Sequence, residues 1–122
     1  MLRRLLLPLA LGALAVFLFA SAGSAKTMGT LKGEVYPNSQ FKIEMETASG
    51  KDLKTVKAGT YKLKIEDKAT IHNFHLTGPG INKSTSVGGT GEQTWTVTLK
   101  KGTYKYVCDP HSSQMKGSFK VT

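Results

Sequence analysis

From Thr30 onward the chain is a succession of short runs in which apolar and polar side chains alternate, with turn formers between them. Thr30 to Tyr36 alternates weakly and stops at Pro37-Asn38, a turn signal. Phe41, Ile43 and Met45 alternate with Lys42, Glu44 and Glu46, the pattern of a half-buried strand. Ala48-Ser49-Gly50-Lys51-Asp52 turns the chain, and Leu53 to Val56 reads as a short edge strand. Tyr61, Leu63 and Ile65 share one face of the next run, and Ile71 to Leu76 follows, broken by Gly78-Pro79-Gly80. Ile81 to Gly91 has no helical period and many turn formers, so it reads as a long loop. Trp95, Val97 and Leu99 alternate with Thr94, Thr96 and Thr98; after Lys100-Lys101-Gly102, Tyr104, Tyr106 and Cys108 share a face, and Gly117 to Val121 closes the series. Gly-Thr-Tyr-Lys occurs at 59–62 and at 102–105, and both copies read as strand starts rather than as a repeat. Short strands at regular intervals predict an all-β fold, a Greek-key β-sandwich of about 7–8 strands.

The N-terminal stretch follows a different pattern. Arg3-Arg4 precede the uncharged apolar run Leu5 to Ala20, and Ser21-Ala22-Gly23-Ser24-Ala25 follow, the three-part layout of a secretory signal helix over residues 1–25. Cleavage after Ala25 or Ala22 fits the small residues, leaving a single domain over 26–122; an uncleaved anchor is the alternative, since Leu5 to Ala22 nearly spans a bilayer. The apolar run is not followed by a cysteine, which excludes a lipoprotein anchor. The 122 residues carry 17 Lys and Arg against 8 Asp and Glu, a net charge of +9; without Arg3 and Arg4 the balance is 15 against 8, or +7. Lysines such as Lys42, Lys62, Lys64, Lys105 and Lys120 are spread singly through strands, as on a solvated sheet face. Their functional counterpart is steering toward an acidic redox partner or an anionic envelope surface. An exported chain seldom meets nucleic acid, so none is expected as a partner.

The chemistry is concentrated near the C-terminus, where Cys108, the single cysteine, stands three residues before His111 and seven before Met115. In an oxidising compartment a lone exposed thiol invites oxidation, and a ligated thiolate escapes that fate. A thiolate, an imidazole and a thioether on one loop form a soft ligand set. Completed by a second imidazole, such a set suits copper in a trigonal site with a weak axial sulfur. Ile71-His72-Asn73-Phe74-His75-Leu76 is the source of that imidazole. His72 and His75 fall on opposite faces of a strand, and Phe74 shares the inward face with His72, so a swap of roles with His75 is the main alternative.

The pattern His72, Asn73, Cys108, His111 and Met115 resembles the ligand motif of the small blue copper proteins, the cupredoxins, and most of all their plastocyanin-like branch. One feature departs from it: three residues separate His111 from Met115, where plastocyanin-like loops usually have four and amicyanin-like loops two. The resemblance implies a cupredoxin-like sandwich holding one type 1 copper ion, with His72, Cys108 and His111 as strong ligands and Met115 as the axial donor. It also implies that Asn73 ties the His72 segment to the Cys108 loop by hydrogen bonds. Gln114 is the alternative axial donor. The implied function is single-electron transfer between a donor and an acceptor redox protein in the periplasm or cell envelope. The protein is then a monomer, not an enzyme, with no small-molecule substrate, and tethered to a membrane only if the leader persists.

Antiparallel pairing of the strands around His72 and Cys108 would put both ligands at one end of the sandwich. Ser86 to Gly91 should then flank the metal, with Val87 and the glycines around it. Enzyme motifs are missing: there is no nucleophile with an adjacent base, no paired carboxylates and no phosphate-cradling loop before a helix. Two other function classes stay open, a copper storage or delivery protein and a metal-free Ig-like binding module. Met28 and Met45, the other methionines past the leader, are not clustered, which speaks against the first.

Overall fold

A computed structural model describes residues 26–122. The signal helix or anchor expected over 1–25 lies outside the described residues. Among the described residues nine strands form in chain order: β1 Thr30–Val35, β2 Ile43–Thr47, β3 Thr55–Val56, β4 Gly59–Asp67, β5 His75–Gly78, β6 Ile81–Ser84, β7 Gly91–Leu99, β8 Gly102–Val107 and β9 Lys116–Val121. They make two mixed sheets, one in the order β2-β1-β4-β7 and one in the order β3-β9-β8-β5-β6. The parallel pairs are β1 with β4 and β3 with β9, and all other neighbours are antiparallel. Among the described residues no helix is long and apolar enough to cross a membrane.

The alternation read from the sequence sets the packing. Leu31 and Val35 on β1, Tyr61, Leu63 and Ile65 on β4, Trp95, Val97 and Leu99 on β7, Tyr104 and Tyr106 on β8, and Phe119 and Val121 on β9 all point into the space between the sheets. Phe74 anchors the middle of that space. Its ring stacks on Tyr106 at 5.7 Å and meets Trp95 edge-on at 6.3 Å. Gly33 on β1 is the position against which it seats, because a Cβ there would come within 2.9 Å of the Phe74 ring. Tyr104 stacks on Phe119, and its hydroxyl donates to the Pro79 carbonyl at 3.0 Å while accepting from the Lys100 amide.

Three expectations are corrected. Ile81 to Gly91 is not one loop: Ile81–Ser84 pairs with β5 as β6, because its backbone can extend the exposed sheet edge whatever its polar side chains prefer. Phe41 is not a core residue. β2 begins only at Ile43, and Phe41 sits 49% exposed in the β1–β2 loop, which the Pro37-Asn38 turn prolongs by a Gln40 amide to Pro37 carbonyl bond of 2.8 Å. The run read over Ile71 to Leu76 is strand only at its end: β5 starts at His75, three residues after His72, and Cys108, read as sharing a strand face with Tyr104 and Tyr106, lies one residue past β8.

Candidate metal centre

β5 and β8 are antiparallel neighbours, with His75 opposite Val107. The ends they share therefore bring the segment before β5 and the loop after β8 to the same tip. Cys108, fully buried, leaves β8 in an extended conformation and leads into a short 3-10 turn, Asp109–His111, with Pro110 near its start. Proline has its φ already set for such a turn and offers no amide that would need a partner. The loop closes on itself: the Cys108 amide donates to the Met115 carbonyl at 3.0 Å, the His111 amide to the Cys108 carbonyl at 3.1 Å and the Met115 amide to the His111 carbonyl at 2.8 Å. Met115 is 1% exposed, and Gln114 faces solvent.

The opposite wall is His72, whose side chain is wholly buried. Its Nδ1 lies 3.0 Å from His111 Nδ1 and 3.7 Å from Cys108 Sγ, and His111 Nδ1 lies 3.6 Å from the same sulfur. A point equidistant from the three atoms would be about 2.0 Å from each, the range of metal–nitrogen bonds and a little under the roughly 2.3 Å of metal–thiolate bonds. Two imidazole nitrogens and one sulfur aimed at a common centre fit a copper ion in trigonal coordination. Burial holds the His72 imidazole below the usual histidine value, the nearby His111 adds to this, and the Gln40 backbone and Asp67 act the other way. Its Nε2 is buried without a partner, so Gln40 is a neighbour of the ring rather than a formed bond. A neutral imidazole is the form that binds a metal.

Asn73, 2% exposed, joins the two walls. Its Oδ1 accepts the Asp109 amide at 2.8 Å, and its Nδ2 donates to Asp109 Oδ2 at 2.7 Å and to the Thr85 carbonyl at 3.3 Å. Thr85 in turn accepts the Phe74 amide on its hydroxyl at 2.9 Å. His75 is outside the cluster of ligand-type atoms. It lies on the outer side of the sheet, with Nδ1 2.8 Å from Asp109 Oδ1 and Nε2 2.6 Å from Asn82 Oδ1. These two partners raise its proton affinity, while the His75 hydrogen bond is the main cause of a lowered value at Asp109.

Sequence reasoning missed several contributors. Asp109 follows Cys108 directly, and a carboxylate between two ligand positions was a usable signal. Phe41 covers the pair of imidazoles, with ring centroids 5.2 Å from His72 and 4.8 Å from His111, both edge-on. Its loop is fastened by Asn38, which exchanges two 2.8 Å hydrogen bonds with Thr70 just ahead of His72. No local sequence pattern announces that clasp. Among the described residues, His72, Cys108 and His111 form the single cluster of three metal-binding side chains within 4.8 Å of one another.

Comparison with known proteins agrees with this geometry. A sequence profile described as copper binding proteins, plastocyanin/azurin family, matches residues 38–122. Among solved structures, rusticyanin from Thiobacillus ferrooxidans is similar at 21% identity over 81% of this chain and 79% of that one, with a TM-score of 0.52. A reduced rusticyanin aligns at 21% identity over 81% of each chain with a TM-score of 0.54. Auracyanin from the photosynthetic bacterium Roseiflexus castenholzii, in its dithionite-reduced form, aligns at 18% identity over 81% of this chain and 99% of that one, with a TM-score of 0.52. At these identities the likeness is one of fold. No curated protein sequence matches the chain. The profile match spans most of the chain and takes in the whole histidine–cysteine–histidine cluster, so the chain belongs to the plastocyanin/azurin family of copper binding proteins, the cupredoxins, and its cofactor is one type 1 copper ion.

Proposed function

We propose that this chain is an exported single-electron carrier whose copper is held by His72, Cys108 and His111, with Met115 as the weak axial donor and Asn73 orienting the ligand loop. The observation that carries the reading is the triangle of His72 Nδ1, His111 Nδ1 and Cys108 Sγ with sides of 3.0 to 3.7 Å. Bound there, copper would cycle between its cupric and cuprous states, taking up and releasing one electron. The residues of the chain supply rigidity. Cys108, His111 and Met115 are fixed to one another by backbone hydrogen bonds, and Asn73 and Asp109 lock that loop to the His72 segment. Ligands that keep their places between oxidation states need little reorganisation, which favours fast exchange. His72 and Cys108 are sealed from water, and His111 alone of the three is partly exposed. The Phe41 ring over both imidazoles adds to the seal. With two imidazoles, a thiolate and the buried Met115 thioether around the ion, no open coordination position would be left for a substrate, in keeping with a carrier rather than an enzyme.

Residues 1–25 serve in this reading as the export signal, and 26–122 work in the periplasm or cell envelope as a monomer between redox proteins. N-terminal sequencing of exported protein, beginning at Lys26 or Gly23, checks the leader. Titration of cupric ion into purified protein tests the site. The expected result is an intense visible thiolate-to-copper band that saturates at one equivalent and is lost in Cys108→Ala with the fold intact. Retention of the band in that variant, or tight cuprous binding without any coloured cupric form, would overturn the reading.

A further inference from the structure

The charges of the two sheets are segregated. β1, β2, β4 and β7 contain Glu34, Glu44, Glu46, Glu66, Asp67 and Glu92, six of the eight acidic residues. All but Asp67 lie on the outer face of that sheet among Lys32, Lys62 and Lys64, and the pairs Lys42–Glu44, Lys64–Glu92 and Lys68–Glu34 balance much of their charge. β3, β5, β6, β8 and β9 contain no acidic residue. Their outer face carries Lys105 on β8 and Lys116 and Lys120 on β9, all exposed, and none of the three is in an ion pair among the described residues. The two remaining carboxylates stand at the borders. Asp109 is held by His75 and Asn73, and Asp52 lies in the seam where β2 approaches β9.

This basic face reaches the metal site. Val107, half-buried on its outer side, precedes Cys108 directly, with Lys116 opposite it on β9 and His75 opposite it on β5. Lys105, Val107, Lys116, Gly117 and Ser118 line one shallow depression. From its floor the backbone leads through one peptide bond to the residue that bears the ligand sulfur. Lysines around a small apolar centre match a partner that presents carboxylates around an apolar spot. A lipid surface matches it less well, since the exposed large apolar side chains Met28, Phe41, Ile71 and Val87 all lie outside these strands, leaving nothing bulky to insert into a bilayer.

We infer that the outer face of the five-stranded sheet, centred on Val107 between Lys105 and Lys116, is the docking surface for a redox protein with a carboxylate-rich surface. This rests on the electron-carrier reading and assigns it a place on the molecule. It predicts an association that salt screens steeply, because the pairs it forms are solvent-exposed.

The test uses the copper-loaded protein in its reduced, diamagnetic form, with polyglutamate as the probe of an acidic protein surface and phosphatidylglycerol vesicles as the probe of an anionic membrane. Amide shifts on adding polyglutamate should centre on residues of β8 and β9. K105E/K116E should weaken binding by about tenfold or more at low salt, while K62E/K64E, with the same change of charge on the other sheet, weakens it by less than about threefold. Equal weakening by both pairs, or shifts centred on the four-stranded sheet or on Phe41 and His111, would overturn the inference. So would vesicle binding that depends on Lys105 and Lys116 without polyglutamate binding. If the protein takes up no coloured copper but the polyglutamate mapping holds, the carrier reading alone fails.

Discussion

Asn73→Ala probes the clasp between the two ligand segments. The variant deletes two short hydrogen bonds with Asp109, of 2.7 and 2.8 Å, and a longer one of 3.3 Å to the Thr85 carbonyl. A hydrogen bond to a charged group contributes about 1.5–3 kcal/mol and a neutral one about 1 kcal/mol, and an amide left buried without a partner adds a desolvation cost. The Asp109 side chain is 48% exposed, which puts its bond at the low end. The sum is about 3 kcal/mol. For a domain of about 100 residues, each kcal/mol shifts the melting temperature by roughly 4–8 °C, so the variant should melt about 12–24 °C lower. Urea unfolding of copper-free protein is the suitable assay, because it separates the clasp from metal binding. The midpoint should fall with the slope unchanged. Asn73→Asp should be worse than Asn73→Ala, since it sets a second carboxylate against Asp109. A loss below about 1 kcal/mol for Asn73→Ala would refute the reasoning, as that is no more than one neutral hydrogen bond contributes.

Other perturbations test separate parts of the account. Phe41→Ala should cost about 1 kcal/mol, against about 3–5 kcal/mol for a buried phenylalanine, and a loss in the higher range would return Phe41 to the core. His75 binds its proton more tightly when folded, through Asn82 first and Asp109 second, so its contribution to stability is full below about pH 6.5 and is lost as pH rises through the folded value. Asp109 is depressed, mainly by His75, so its contribution is present above about pH 3.9 and is lost as pH falls through the folded value. In His75→Gln the alkaline-side decline should flatten; unfolding free energies that trace the same pH profile as the parent would contradict the pairing. Met115→Leu should keep a coloured site at a higher potential, because losing a weak sulfur donor disfavours the cupric state. An unchanged potential in cyclic voltammetry would point to a different axial group.

What the sequence makes legible follows from how local each signal is. Alternation fixes the inward set on β4, β7, β8 and β9 because each of these strands has one face on the core, and a one-residue slip would expose Leu63 or Trp95. The Cys108, His111 and Met115 spacing lies within one loop, so it can be read without knowing the fold. Phe41 was misplaced because apolar alternation cannot say where a strand begins, and the turn at Pro37 delays β2 by two residues. β6 escaped notice because an edge strand is specified by its neighbour's unpaired backbone rather than by its own side chains. The Asn38–Thr70 and His75–Asp109 contacts join residues more than thirty positions apart and depend on the fold itself. Asp109 illustrates the middle case: its place beside Cys108 is visible in the sequence, and its bond to Asn73 is visible only after folding.

Two imidazoles and one thiolate, brought from two distant segments, are expected to bind the same ion. Copper-edge X-ray absorption of the loaded protein measures this directly. Both oxidation states should show two nitrogen scatterers at about 2.0 Å and one sulfur scatterer at roughly 2.3 Å, with little change between them. A copper shell made of oxygen and nitrogen alone, or a short sulfur scatterer that persists in Cys108→Ala, would contradict it.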